Sequence, residues 1–445
     1  MSQLQRRLTL YGLTMVAVGS CIGAGIFATP GEIVATFPHA GWVIVLWVVG
    51  GLITLTGALT FAELGGMFPK AGGIYVYLKE AYGKLPAFLY GWVTLLVVNT
   101  GSLAALGLIF AKYLTFYIPL TEPEQIWVAI TVIASLTSLN ILGVNTSQWI
   151  ISVFTTTKLL ALLVVILLAG MLRDQTDHVH IWSLGENLPS DWVGLSLTAL
   201  IGVLWSFGGW HHATYLAGET RHPQRNVPRA MLIGALVVTL TYVLTNLAYL
   251  WLLPLETIAG TERVAGDALE AVMSGGGKAV ALLIGVSVFG TIAIYTMSAP
   301  RIYFAMARDG VFFGFLARLH SKFKTPANAM ATQALWAIFL LLIWGHFHDL
   351  ITYVTFIDVA FMTLAGIGIF IFRVQRADVN RPYRAWGYPV IPGLYVLITF
   401  AFLVNTFIEK PEQTKAGLAV LAAGVVVYFL IKHFRKDTSS EQGVR

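Results

Sequence analysis

GSCIGAGIF, residues 19–27, interrupts the first long apolar run of this sequence with three glycines, a serine and the only cysteine. A lipid bilayer offers no partner to an unpaired backbone N–H or C=O group, so a spanning segment is normally a continuous helix. Glycine weakens a helix because it has the most conformational freedom to lose. The stretch therefore predicts a helix that breaks near the middle of a membrane, and such a break is typical of a ligand site.

Composition places the chain in a membrane. Of its 445 residues, 57% are hydrophobic and 11% are charged, whereas a soluble domain carries about 25% charged residues. A window of about 19 residues finds about twelve apolar runs that can cross a hydrocarbon layer of about 30 Å. The runs are continuous rather than alternating, so an all-α integral membrane fold is favoured over a barrel. We expect spans near 9–35, 40–66, 86–116, 125–144, 149–172, 192–217, 229–253, 277–304, 327–345, 350–372, 388–408 and 416–433.

Lysine and arginine are distributed unevenly between alternate connecting segments. If the N-terminus is cytoplasmic, the cytoplasmic segments hold 21 of the 28 basic residues. The positive-inside rule then predicts that both termini are cytoplasmic. Topology and anionic membrane lipid account for the net charge of +6 without a nucleic-acid partner. The connecting segments are short, which favours a bacterial inner membrane.

The sixth apolar run repeats the feature of the first. LWSFGGWHHAT, residues 204–214, contains the adjacent glycines Gly208 and Gly209. Interruptions at matching places in two blocks of five spans indicate an inverted-repeat transporter with a site at the midplane. We expect one transmembrane domain over residues 1–445, with repeats at 9–172 and 192–372 and two accessory helices at 388–433. The alternative is that these glycines only allow helices to pack closely.

Four motifs, in order along the chain, resemble those of the amino acid–polyamine–organocation superfamily and its L-type amino acid transporter group. Residues 19–27 resemble the first-helix signature G-S-G-I-G-S-G-I-F of that group. PKAGGIYVYLKEAYG at 69–83 is similar to its P-x-x-G-G-x-Y-x-Y loop. Residues 139–160 resemble a stretch that ends in a lysine of the fifth span, and GETRHPQRNVPRA at 218–230 is similar to E-x-x-x-P-x-R-x-x-P-R-A. The resemblance implies a leucine-transporter-like fold of five plus five helices with two added.

The resemblance also implies how an amino acid is held. The amides of Ala24 and Gly25 would bind the carboxylate, because a helix N-terminus attracts anions. The carbonyls of Cys21, Trp205 and Gly208 would accept from the ammonium group. The usual residues at positions 21 and 24 are glycine and serine, so this chain departs from the signature there.

Aromatic and small residues near the breaks complete the expected site. Trp205, in the stretch Trp205, Ser206 and Phe207, is assigned as a lid over the substrate, against the commoner role of a membrane tryptophan in helix packing. By analogy, the side-chain pocket would use Asn99, Ser102, Gly209 and Phe289.

Lys158 is the most informative charge. A lysine at bilayer depth costs about 2.5–3.5 kcal/mol on insertion scales and is functional by default, although a lysine near a span end can also extend to the surface. In the family, this lysine stands where sodium-coupled relatives hold a sodium ion. Its ammonium group would bind span 1 carbonyls near Gly19 and Ser20. Burial disfavours a charged lysine, so proton coupling is an alternative.

Asp358 is a second charge inside a span, and the resemblance offers no common acid at this position. A structural ion pair, a proton relay, a basic substrate, and a pair with His211 or His212 all remain open. Because the two histidines are adjacent, we expect at most one to face the substrate path. Neither histidine is accompanied by other potential metal-ligating residues in the sequence, so no metal and no cofactor is expected.

The predicted function is sodium-independent exchange of small to medium neutral L-amino acids by alternating access. The alternatives are a proton-coupled symporter of amino acids or of cationic amino acids and amines, and a membrane-embedded enzyme. An enzyme would need clustered catalytic groups, and the acidic residues are scattered. The single cysteine lies in a predicted span, so a disulfide-linked accessory subunit is not expected.

Overall fold

The computed structural model describes residues 4–172, 188–261, 263–343, 348–409 and 411–441. These ranges are helical apart from turns and one isolated bridge between Leu8 and Thr220. Within these ranges, ten helices are long and apolar enough to cross a membrane, and two shorter apolar helices complete the expected twelve. In chain order, spans 1–12 are Leu10–Thr36, Ala40–Met67, Lys84–Leu114, Glu122–Ile141, Val144–Leu172, Trp192–Phe207, Pro223–Leu252, Gly276–Arg308, Ala327–Ile343, Val354–Gln375, Val390–Glu409 and Thr414–His433.

Most span ends lie within a few residues of their predicted positions. Span 6 differs most, because its helix ends at Phe207 rather than near residue 217. The helix that contains span 10 runs from His348 to Gln375. Shorter helices lie between spans: Ile74–Tyr82 follows span 2, and Leu255–Ala259 and Val264–Glu270 follow span 7.

Spans 1 and 6 are both broken, as predicted. In span 1 the helix Leu10–Cys21 ends, residues 22–24 are non-helical, and a second helix covers Gly25–Thr36. In span 6 the helix is followed by residues 208–211, a short helix His212–Tyr215 and a 3₁₀ turn. The peptide groups at both breaks therefore lack regular helical partners.

The two breaks lie directly against each other. Gly209 has φ +113°, a conformation that favours glycine, and a Cβ at this position would lie 2.7 Å from the Ser20 carbonyl oxygen. A Cβ on Gly25 would lie 2.5 Å from Ser206 Oγ. Glycine is required at both positions because the backbone of one span approaches the other too closely for a side chain.

A buried ion pair fixes the chain that follows the span 6 break. Glu219, at the end of span 6, receives two hydrogen bonds from the guanidinium group of Arg301 at 2.8 and 2.9 Å. Both side chains are fully buried. The Glu219 carbonyl also accepts the N–H groups of Arg7 and Leu8. The chain before span 1 is thereby attached to the end of span 6 and to span 8.

Candidate binding site at the two helix breaks

A cavity lies between the breaks and is bordered by spans 1, 3, 6, 8 and 10. It brings together eleven of the residues that the sequence analysis singled out as site or coupling residues. They are Ser20, Cys21, Ala24, Gly25, Asn99, Ser102, Trp205, Ser206, Gly208, Gly209 and Asp358.

The second helix of span 1 presents an uncapped N-terminus to this cavity. Its N-cap residue is Ala24, which has no side-chain oxygen, and Gly25 is the first helical residue. No described residue accepts a hydrogen bond from the N–H of either one. Unpaired N–H groups at a helix N-terminus carry partial positive charge, so this end of the cavity attracts an anionic group.

The carbonyls at the breaks differ in how far they are already occupied. The Cys21 carbonyl accepts the Gly23 N–H at 2.7 Å and the Tyr242 hydroxyl at 2.7 Å. Both of its lone pairs are therefore used. No described residue donates to the Gly208 carbonyl, and Gly208 borders the cavity. The span 6 break thus offers the more accessible acceptor for a cationic group.

Lys158 of span 5 lies behind the span 1 break and is almost fully buried. Its ammonium nitrogen lies 2.8 Å from the Gly19 carbonyl oxygen, 2.5 Å from that of Ile22, 3.2 Å from that of Ser287 and 2.9 Å from Thr291 Oγ1. Its three N–H groups are shared among these four acceptors. The second span 1 carbonyl is thus that of Ile22, where the sequence analysis named Ser20. The ammonium group sits among four oxygens and joins span 1 to spans 5 and 8.

Comparison with known proteins identifies the family of this chain. The family model for amino acid permeases matches residues 8–431. The chain belongs to the amino acid permease family.

Full-length relatives of the permease are named as amino acid transporters. This chain is 30% identical to the human b(0,+)-type amino acid transporter 1, over 98% of this chain and 89% of that protein. It is 30% identical to the mouse large neutral amino acids transporter small subunit 2, over 96% and 81% of the two chains. It is 31% identical to the serine/threonine exchanger SteT of Bacillus subtilis, over 95% and 96%.

Two predicted substrate contacts of the permease lie outside the cavity. Phe289 is one of them, and its ring packs against Phe110 and Phe154 with centroids at 5.9 and 5.0 Å. Thr291 and Tyr295 of the same span border the cavity instead. Successive helical residues are about 100° apart, so Phe289 points away from the face that carries Thr291.

Phe207 is the second predicted substrate contact that lies outside the cavity. Its ring packs against Trp47 and Tyr242 with centroids at 5.9 and 5.0 Å, and it borders a smaller neighbouring cavity. Phe207 ends the first helix of span 6, so its side chain stays within the packed helices while the next residues turn into the cavity.

Both histidines of span 6 border the cavity of the permease, although the sequence analysis allowed only one. That expectation assumed regular helical spacing, whereas His211 belongs to the break and His212 begins a new helix. Their ring centroids are 5.0 Å apart. His212 Nδ1 is 2.6 Å from Ser298 Oγ, whereas His211 Nε2 is 4.0 Å from the Asp358 carboxylate.

Sequence reasoning missed Tyr242 of span 7. Its hydroxyl oxygen lies 2.7 Å from the Cys21 carbonyl oxygen and 3.0 Å from that of Ser206, so its single proton is shared between the two breaks. A hydroxyl near the middle of an apolar run was the available signal, because buried polar groups require partners. Its target could not be deduced without the packing of span 7 on spans 1 and 6.

Proposed function

We propose that this permease exchanges small to medium neutral L-amino acids without sodium, by alternating access. The observation that carries the proposal is the uncapped helix N-terminus at Ala24 and Gly25, which faces the cavity beside unwound carbonyls of span 6. A zwitterion carries one anionic and one cationic group, and the two breaks offer a complement to each.

The amides of Ala24 and Gly25 hold the substrate carboxylate in this proposal. The carbonyls of Gly208 and Trp205 receive the ammonium group. Cys21 forms the wall between them, because its carbonyl already accepts two hydrogen bonds. Trp205 covers the bound substrate, and Asn99 and Ser102 contact its side chain.

Lys158 supports independence from sodium. Its ammonium group is surrounded by three carbonyls and one hydroxyl of spans 1 and 8, the type of oxygen cage that would otherwise suit a metal cation. A fixed positive charge in this cage repels a sodium ion at close range. We therefore assign Lys158 as the group that couples the span 1 break to spans 5 and 8.

Chain organisation in this proposal follows the two breaks. Residues 9–172 and 192–372 form inverted repeats, each opening with a broken span, and the helices at 388–433 are accessory. Both termini are cytoplasmic, and the membrane is a bacterial inner membrane. Cys21, the only cysteine, is 3% exposed at the span 1 break, so no disulfide joins this chain to an accessory subunit.

Exchange can be tested with the purified permease in liposomes. Vesicles preloaded with unlabelled L-serine or L-threonine are expected to take up labelled substrate much faster than empty vesicles. Replacing sodium by choline should leave the rate unchanged. Uptake that ignores internal substrate but follows a pH gradient would establish the proton-coupled alternative instead, and protein-free vesicles provide the background.

A further inference from the structure

Asp358 of span 10 is a carboxylate that the proposed mechanism does not use. It borders the cavity between the two breaks, and 20% of its side chain is exposed there. An ionisable residue at membrane depth is costly and requires a partner. The groups around Asp358 therefore indicate whether its partner is a protein side chain or a ligand.

The described residues give Asp358 no hydrogen-bond donor. The nearest cationic candidate is His211 Nε2 at 4.0 Å, which is beyond hydrogen-bonding distance. The buried acids Glu63 and Glu219 differ, because each receives hydrogen bonds from arginine. Asp358 also borders the smaller cavity next to Trp210, so space remains on more than one side of it.

Other polar atoms in the same cavity also lack partners among the described residues. Asn99 Nδ2, His211 Nδ1 and Thr355 Oγ1 are buried without a hydrogen bond. All three residues border the cavity. Buried polar groups are normally paired, so several unpaired ones on residues that border one cavity indicate a polar ligand.

We propose that Asp358, flanked by His211 and Thr355, forms a subsite that selects amino acids whose side chain carries a hydrogen-bond donor. This inference rests on the proposed function, because it assumes that the amino acid's backbone groups bind at the two breaks. A carboxylate accepts hydrogen bonds and donates none when ionised. A substrate hydroxyl or amide completes this subsite, whereas an aliphatic side chain of equal size leaves the acceptor unpaired.

Threonine and valine provide the test, because they have nearly the same shape and differ by a hydroxyl in place of a methyl group. Binding is measured on the purified permease in detergent by competition against a labelled amino acid. We expect threonine to bind about 10-fold or more tightly than valine, since a site built around a substrate hydroxyl discriminates strongly against its isostere. Asp358→Ala should reduce this ratio to about 1–3, mainly through weaker threonine binding.

A conservative variant of Asp358 and a control variant in the same span test whether the effect on the ratio is specific to the carboxylate. Asp358→Asn is closest in size and should fold, and it should lower the ratio several-fold because a neutral amide accepts more weakly than a carboxylate. Thr363→Val is the matched control in the same span, since the Thr363 hydroxyl donates to the Val359 carbonyl and Thr363 lies outside both cavities. This control should retain the wild-type ratio.

A threonine-to-valine ratio near one in the wild type would overturn the inference, as would a wild-type ratio retained in both Asp358 variants. If the selective binding is found but vesicles show no exchange, the subsite stands and the transport mode fails. Absence of binding by any amino acid would overturn the subsite and the proposed function together.

Discussion

The breaks in spans 1 and 6 lie against each other and share the Tyr242 hydroxyl, but they obtain their other hydrogen bonds from different sources. The span 1 break is held by Lys158 of span 5, whose ammonium group binds the carbonyls of Gly19 and Ile22, and by side chains of span 8. At the span 6 break, Ser20 Oγ donates to the Gly209 carbonyl and Cys21 Sγ donates to the Phe207 carbonyl. Span 1 is thus fixed by other helices, whereas span 6 depends in part on span 1.

Because of this difference, mutations that affect the two breaks are expected to have unequal consequences for the structure. A change in the support of span 1 should disturb both breaks, because span 6 loses the surface against which it is held. A change confined to span 6 should leave the Lys158 contacts in place.

Lys158→Ala should have the largest effect. Each hydrogen bond to a charged group contributes about 1.5–3 kcal/mol, so losing the two bonds to span 1 should slow exchange by about 100-fold or more. The measurement is the initial rate of exchange in preloaded vesicles at matched protein content. Lys415→Ala is the control, because Lys415 is exposed and pairs only with Glu412 in its own helix. Unchanged turnover in Lys158→Ala would remove the lysine from the mechanism and break the comparison.

Gly25→Ala should have the second-largest effect on exchange. The added methyl group would lie 2.5 Å from Ser206 Oγ and 2.8 Å from Ser206 Cα. Overpacking of this kind costs about 1–3 kcal/mol, so substrate affinity and exchange should fall about 10-fold or more. At Gly23, the nearest atom to an added Cβ is Thr291 Cγ2 at 3.5 Å, an ordinary contact.

Gly23→Ala is therefore the matched control and should change exchange far less than Gly25→Ala. Equal effects of the two variants would mean that glycine is needed for flexibility rather than for the close approach of spans 1 and 6.

Tyr242→Phe should have a moderate effect on stability. The variant removes the one hydroxyl that connects the Cys21 and Ser206 carbonyls, and a lost hydrogen bond typically costs about 1 kcal/mol. The thermal unfolding midpoint in detergent should fall. Tyr249→Phe in the same span is the control, because the buried Tyr249 hydroxyl has no partner among the described residues, so its removal should be neutral or stabilising. A larger loss at Tyr249 would contradict the assignment of Tyr242 as the connection between the breaks.

Thiol labelling should give the smallest effect. Cys21 is 3% exposed and borders the cavity, and no other cysteine contributes background. A small maleimide should label it slowly, and saturating substrate should slow the reaction further. Equal labelling rates with and without substrate would place the ligand away from the span 1 break.

The sequence predicts the helical membrane fold and both breaks because each leaves a local trace, whereas most residues of the expected site follow from the family resemblance. Apolar length predicts the spans, glycine clusters predict the breaks, and a lysine within an apolar run predicts a buried cation with partners. Side-chain direction is harder to predict. Phe289 and Thr291 are two residues apart, and only the rotation of span 8 decides that Thr291 faces the cavity.

What the sequence determined by itself is that this chain crosses a membrane as helices, that two of them are interrupted by glycine, and that Lys158 is buried. These properties follow from the chemistry of short segments in lipid. The packing of the helices is needed to establish that Ile22 accepts from Lys158, that Tyr242 connects the two breaks, and that Asp358 faces the cavity without a donor among the described residues. Each of these facts depends on how helices distant in sequence are rotated and packed, and residue order alone does not specify that.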